Sequence, residues 1–274
     1  MQKRGQVTTF VIIAIIVVAV VLLGVFLWPQ ISERFMSEER ASEVLASKSD
    51  SLRDAVEDCV KLVSEDFFHD MGLQGGYYDT TGLDNLYYAD NFFTVVMFKN
   101  SNNKRVNKLP LLGQMAYQYQ LFLDTEGNAA IDRCLNDFSS FEKTIDVTPG
   151  VRTITPIVYY DAVILDVDWP ISVSKQSAKK KVTQTINQKS IILMIPLGNM
   201  WNVANMIVDC EVKPGCKYEA VIWDEMIWDY PFDMQYISKE ARRVNKDQIV
   251  FFLESVPYRP GEESFKFNFA IDRS

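Results

Sequence analysis

A long uncharged apolar run near the N-terminus limits what this chain can be more than any other feature. No charged residue lies between Arg4 and Glu33, and residues 7–28 are 22 positions of almost purely aliphatic and aromatic character. As a helix, such a run rises roughly 33 Å, which is enough to cross the hydrocarbon core of a bilayer. A secretory signal peptide has a shorter apolar region, followed by small residues at a cleavage site. The run therefore favours a permanent transmembrane helix over a removed signal peptide.

The residues around the run and the cysteines predict its orientation. Lys3 and Arg4 precede the run, whereas Glu33 opens a segment of mixed charge after it. Cations beside a membrane span favour the cytoplasmic side. The four cysteines, an even number, suit an oxidising exterior. We therefore expect a cell-membrane protein with a cytoplasmic N-terminus, an extracytoplasmic head and the lipid bilayer as a partner.

The overall charge argues against nucleic-acid binding. The formal net charge is -8 at pH 7. A nucleic-acid-binding surface needs a cationic face for the phosphates. The sequence also contains no nucleotide-binding loop, no EF-hand spacing and no Cys-x-x-Cys pair. We expect neither a nucleic-acid partner nor a cofactor.

Helix-forming sequence comes first, and alternating sequence follows. Residues 32–71 lack glycine and proline and carry apolar residues at intervals of three and four, which predicts an amphipathic stem helix. Apolar residues at alternate positions over 163–173 predict a strand with one buried and one solvated face. Similar patterns predict strands at 92–98, 249–256 and 265–271.

This order of elements predicts the fold class α+β. We expect a long N-terminal transmembrane helix that continues into the amphipathic helix, and then a head with a mainly antiparallel sheet and packed helices. The predicted regions are 1–31, the cytoplasmic tip and transmembrane helix; 32–71, the stem helix; and 72–274, the extracytoplasmic head.

The four cysteines predict disulfides. Cys210 and Cys216 flank a Pro-Gly turn that can bring their thiols together. Cys59 would then pair with Cys134 by elimination, although four cysteines allow three connectivities. The alternative is that the cysteines bind a zinc ion, and the absence of a neighbouring histidine argues against it.

An aromatic and acidic segment, residues 223–236, is the candidate for ligand binding. Trp223, Trp228 and Tyr230 lie beside carboxylates, and aromatic rings in such surroundings stack on sugars. If these rings lie exposed on one concave face, the chain is a membrane-anchored binding module for surface glycans or a partner protein. The alternative is an edge strand and loop whose rings fill the hydrophobic core.

The remaining candidates for chemistry are weak. His69, the only histidine, lies near the expected end of the stem helix and is more simply a cation at a helix C-terminus than a catalytic base. Asp166 and Asp168 share one face of a strand and can bind a cation, but a solvated strand face is far commoner. We therefore assign no catalytic and no metal-binding residue. An anchored hydrolase, the remaining alternative, requires a cleft with converging carboxylates.

Lys3-Arg4-Gly5-Gln6 before an apolar helix resembles the class III signal of archaeal type IV pilins. The resemblance implies cleavage between Gly5 and Gln6, after which the helix stays with the chain and packs into a filament core. Many such pilins carry glutamate as the fifth residue after the cut, where this chain has Phe10.

Four features carry a second resemblance: GQVTTF at 5–10, Cys59, GLQGGY at 72–77 and CLNDFSSF at 134–141. They are similar to an uncharacterised family of membrane-anchored surface proteins of small-genome archaea. Together the two resemblances imply a non-enzymatic cell-surface protein, structural or adhesive, pilin-like and anchored by its N-terminal helix. This hypothesis implies one of three partners: copies of the same chain in a filament, a surface glycan or a surface protein.

Overall fold

The computed structural model describes residues 14–22, 36–142, 144–216, 237–257, 261 and 263–274. The helices in these ranges are α1 (14–22), α2 (Glu38–Leu73), α3 (Leu112–Phe122), α4 (Asn128–Cys134), α5 (Ser139–Glu142) and α6 (Leu197–Val212). A π-helical turn at Leu123–Gly127 joins α3 to α4, and a 3-10 turn at Asn136–Phe138 precedes α5.

The strands in the same ranges form three sheets. They are β1 (Asn85–Tyr88), β2 (Asn91–Lys99), β3 (Arg105–Asn107), β4 (Asp146–Pro149), β5 (Thr153–Val158), β6 (Val163–Asp168), β7 (Ile171–Gln176), β8 (Lys181–Ile186), β9 (Ile191–Leu193), β10 (Ile237–Arg243), β11 (Gln248–Ser255) and β12 (Lys266–Asp272). The chain is thus α+β, and three of the predicted strands are β2, β11 and β12.

The expected transmembrane helix is not found. In the ranges that the structure describes, no helix is both long enough and apolar enough to span a membrane. Helix α1, the described part of the apolar run, has nine residues. The prediction of a transmembrane helix that continues into the stem is therefore wrong, and so is the predicted location as a single-pass membrane protein with an extracytoplasmic head.

The chain divides into two compact units. The first comprises Met1–Asp54, Phe138–Gly150 and Pro170–Ile186, and the second comprises Ala55–Asp137, Val151–Trp169 and Asn187–Ser274. Helix α2 contributes its N-terminal half to the first unit and its C-terminal half to the second.

The first unit contains the antiparallel sheet β4-β7-β8. Ala41, Leu45 and Leu52 recur on one side of α2 and are buried. Ser49 lies on the same side, is also buried, and donates a hydrogen bond of 3.4 Å to the Gln184 side chain on β8. The apolar spacing of α2 therefore marks the face that the first unit buries.

The second unit is built on a larger mixed sheet. Its strand order is β1-β2-β12-β11-β10, with β3 also beside β2. Only the β2–β12 pairing is parallel, so this sheet is mainly antiparallel. Phe251 and Phe269 stack with their ring centroids 5.0 Å apart, and α6 packs against β2, β3, β11 and β12. A third sheet, β5-β6-β9, belongs to the same unit.

The alternating run at 163–173 is buried as predicted, but it is not one strand. Strand β6 ends at Asp168, β7 begins at Ile171, and the two pair in different sheets. Between them, Pro170 has no N–H to donate to a ladder, and its carbonyl accepts a hydrogen bond of 2.8 Å from Gly150. The spacing of the apolar residues therefore predicts the buried face correctly, whereas the strand is interrupted at Pro170.

Candidate functional site

Helix α1 presents apolar side chains to solvent on every side. Each of the following is more than half exposed: Ile15, Ile16, Val17, Val18, Val20, Val21 and Leu22. Successive residues advance about 100° around a helix, so these seven cover its whole circumference. A helix that is apolar all round is normally buried, and a contiguous exposed apolar patch marks an interaction surface. Helix α1 is therefore the candidate assembly surface of this protein.

Two sets of predicted site residues lie outside the described ranges. Gly5 and Gln6, the predicted processing site, precede residue 14. Trp223, Trp228 and Tyr230, the predicted ligand-binding rings, fall between 216 and 237. Both assignments stay predictions.

The structure contains two disulfides. Cys59 on α2 is bonded to Cys134 at the end of α4, with their Cα atoms 5.7 Å apart. Cys210 is bonded to Cys216 across the Pro-Gly turn, with a Cα separation of 5.3 Å. These are the two pairings predicted from the Pro-Gly turn between Cys210 and Cys216. Because all four sulfur atoms are used, no cysteine is left as a zinc ligand or a nucleophile.

A charged groove of about 900 Å³ lies along the C-terminal half of α2. Lys61, Glu65 and His69 line it from α2 at four-residue intervals, and Lys266 lines it from β12. Lys61 Nζ lies 3.8 Å from Glu65 Oε1. The His69 ring contacts the Phe265 ring edge-on, with the two ring centroids 5.3 Å apart. The only histidine therefore packs on the core of the second unit.

Three further carboxylates of this groove are exposed to solvent. Asp66, Asp70 and Glu263 line it as well, and all three are exposed. A catalytic carboxylic acid usually owes its raised pKa to burial. Within the described residues, no group of three or more His, Cys, Asp or Glu side chains is placed to hold a metal ion. The groove is best described as a solvated ionic surface, and the same holds for the exposed Asp166 and Asp168 on β6.

A buried polar cluster in the second unit was not predicted. The hydroxyl groups of Ser64 and Tyr119 share a hydrogen bond of 2.7 Å, and both residues are fully buried. The charge of Arg152 acts on Tyr119. Arg152 Nη2 lies 3.1 Å from Asp132 Oδ1, and its guanidinium carbon lies 4.2 Å from the centroid of the Trp169 ring. No motif signals this cluster, because its five members lie in separate segments: three in the helices α2, α3 and α4, one just before β5 and one just after β6. The contacts link these segments.

Burial of Tyr119 makes the free energy of unfolding depend on pH. Desolvation raises the pKa of its hydroxyl from 10.0 to about 12, against smaller opposing effects of the Ser64 hydrogen bond and the Arg152 charge. The unfolded chain loses this proton near pH 10, whereas the folded chain keeps it until about pH 12. The unfolded state thus binds fewer protons in this interval. The free energy of unfolding should therefore fall as the pH rises, by up to about 3 kcal/mol from this group.

Urea denaturation at several values between about pH 9 and pH 12 measures this effect. Tyr119→Phe removes the titrating group, so its free energy of unfolding should fall less steeply than that of the wild type. Tyr117→Phe, at an exposed position on α3, is the matched control and should follow the wild type. Equal slopes for wild type and Tyr119→Phe would contradict the assignment.

The second unit also contains a buried ion pair between Glu211 and Arg273. Glu211 on α6 has only 2% of its side chain exposed, and Arg273 donates two hydrogen bonds to its carboxylate. Arg105 Nη1 on β3 lies 4.0 Å from the same carboxylate. The sequence separation of 62 between Glu211 and Arg273 leaves no local pattern that predicts the pair. It ties α6 to the C-terminal end of β12.

Comparisons of the chain with protein families, with curated proteins and with solved structures found no match. The function must therefore be inferred from the surfaces themselves.

Proposed function

We propose that this chain is a non-enzymatic, pilin-like structural or adhesive protein that assembles with copies of itself through helix α1. The observation that carries the proposal is the exposure of seven branched aliphatic side chains around that helix. Removal of such side chains from water contributes roughly 25 cal/mol per Å². Burial between copies of the same helix would therefore be strongly favourable.

The composition of α1 favours a second copy as the covering surface. No side chain in α1 carries a charge or a hydrogen-bonding group, so a partner needs no complementary polar group to bind it. Because every side of the helix is apolar, one copy can contact several others at once, as an extended assembly requires. The N-terminal resemblance to pilin signals implies the same arrangement, with helices packed in a filament core.

Sedimentation velocity and negative-stain electron microscopy of the full chain test the proposal. We expect concentration-dependent association into particles or filaments of uniform diameter. The double variant Ile16→Glu/Val20→Glu places two carboxylates on one side of α1, because the positions are four residues apart. We expect it to weaken association at least tenfold, since a charge buried without a partner is costly. The pilin-like part further requires the native chain to begin at Gln6, which intact mass spectrometry reads directly.

Leu62→Glu is the matched control. Leu62 is 54% exposed on α2, comparable with Ile16, and lies in the second unit. This variant should associate like the wild type. A wild-type chain that stays monomeric at every concentration would contradict the proposal, and so would irregular aggregates that both variants reduce equally.

A further inference from the structure

The hairpin β1–β2 carries an exposed aromatic pair. Tyr87 and Phe92 oppose each other across the two strands, with their ring centroids 5.0 Å apart. The side chains are 55% and 70% exposed, although rings of this size are usually largely buried. The pair therefore presents two apolar rings, inclined to each other by 54°, to solvent in the second unit.

The turn of the hairpin holds the pair in place. Ala89 and Asp90 both have positive φ, 49° and 63°, which is the conformation of a tight two-residue hairpin turn. The Tyr87 hydroxyl donates a hydrogen bond of 2.9 Å to Asp90 Oδ1. The aromatic surface is thus ordered without a ligand, which lowers the entropic cost of binding one.

A cavity of about 440 Å³ adjoins Phe92. This volume is within the range of about 300–1,000 Å³ that is typical of small-molecule sites. Its other lining residues are uncharged and polar: Gln74, Thr80, Asn85 and Thr94. Asn85 and Thr94 are the cross-strand pair next to Tyr87 and Phe92 on the same face of the hairpin. The exposed aromatic pair and a row of amide and hydroxyl groups therefore share one surface.

The polar groups of this cavity are available to a ligand. Within the described ranges, no hydrogen bond involves the side chain of Gln74 or Thr80, and the Asn85 amide donates one long bond of 3.5 Å to the Leu83 carbonyl. An amide both donates and accepts hydrogen bonds, and so does a hydroxyl. No charged side chain is among the described residues that line the cavity, so nothing there favours an anion or a cation.

We propose that this cavity is a binding site for neutral carbohydrates. A pyranose ring has an apolar C–H face that can stack on Phe92, and its hydroxyl groups match the side chains of Gln74, Thr80 and Asn85. The site uses none of the residues of α1, so it is independent of self-assembly. It also differs from the segment at 223–236, on which the sequence placed sugar binding.

Saturation-transfer NMR on the full chain tests the site with four neutral oligosaccharides: maltotetraose, cellotetraose, mannotetraose and chitotetraose. The buffer must be free of sugar-based detergents, because their head groups would compete. We expect at least one oligosaccharide to receive saturation at its ring C–H protons. Phe92→Ala should weaken its binding about tenfold or more, the loss typical of a truncated aromatic anchor. Phe92→Trp should retain binding because it keeps a ring at this position.

Tyr117→Ala is the control for loss of an exposed ring elsewhere, since Tyr117 is 63% exposed on α3. It should bind like the wild type. Thr80→Val keeps the shape of the side chain but removes one hydroxyl, and it should weaken binding severalfold. Absence of saturation transfer from all four sugars would overturn the proposal. Binding that survives both Phe92→Ala and Thr80→Val would place the sugar elsewhere and would overturn it as well.

Discussion

Replacement of Arg273 by methionine should lower the free energy of unfolding by about 3 kcal/mol or more. Arg273 donates hydrogen bonds of 2.8 and 2.7 Å to Glu211, whose side chain is almost fully buried. In the variant, this carboxylate loses both of these hydrogen bonds, and Arg105 lies 4.0 Å from it. A buried charge that loses its main partner is much more costly than an exposed one. Urea denaturation at neutral pH measures the loss.

Two further variants separate the burial of the charge from the loss of an arginine. Arg242→Met makes the same change in a pair with Glu240 in which both side chains are more than half exposed. Exposed ion pairs contribute about 0–1 kcal/mol, so this variant should differ little from the wild type. The double variant Glu211→Met/Arg273→Met removes the buried charge and should recover part of the stability. Equal losses for Arg273→Met and Arg242→Met would show that burial is not the cause.

Removal of the Cys59–Cys134 disulfide should lower the free energy of unfolding by about 4.5 kcal/mol. The two cysteines are 75 residues apart, so the bond greatly restricts the unfolded chain. It also joins α2 to the end of α4 in the folded state. The variant is Cys59→Ala/Cys134→Ala, and guanidinium denaturation without reductant measures its stability.

The second disulfide provides a matched control within the same chain. Cys210 and Cys216 are only six residues apart, so Cys210→Ala/Cys216→Ala should cost about 2.4 kcal/mol. Both double variants replace two sulfur atoms, and they differ mainly in the length of the loop that the bond closes. A larger loss for the short loop than for the long one would contradict the loop-entropy explanation.

The buried faces of the elements were predictable from the sequence, because they depend on local spacing. The apolar positions of the stem helix and of the run at 163–173 are buried in the structure. The pairing of Cys210 with Cys216 followed from the Pro-Gly turn between them. The apolar run at 7–28 led to an incorrect prediction, because no helix in the described residues is both long enough and apolar enough to span a membrane. The described helix within it has nine residues.

The candidate carbohydrate site could not be predicted by the same reasoning. Phe92 was part of a predicted strand, and in an alternating strand such a ring is expected in the core. Phe92 instead lies beside the turn of the hairpin and pairs there with Tyr87, whereas β12 pairs with β2 farther along, at Val95 and Met97. Gln74 and Thr80 reach it only because the loop after α2 passes the same hairpin.

The sequence by itself therefore determined the α+β class, the buried face of each main element and the short disulfide, because each depends on residues that are close along the chain. The tertiary structure alone decided that β2 pairs with β12, that Arg273 meets Glu211, and that polar side chains gather beside Phe92. These contacts join residues that are far apart in sequence, and only the packing of sheets and helices brings them together.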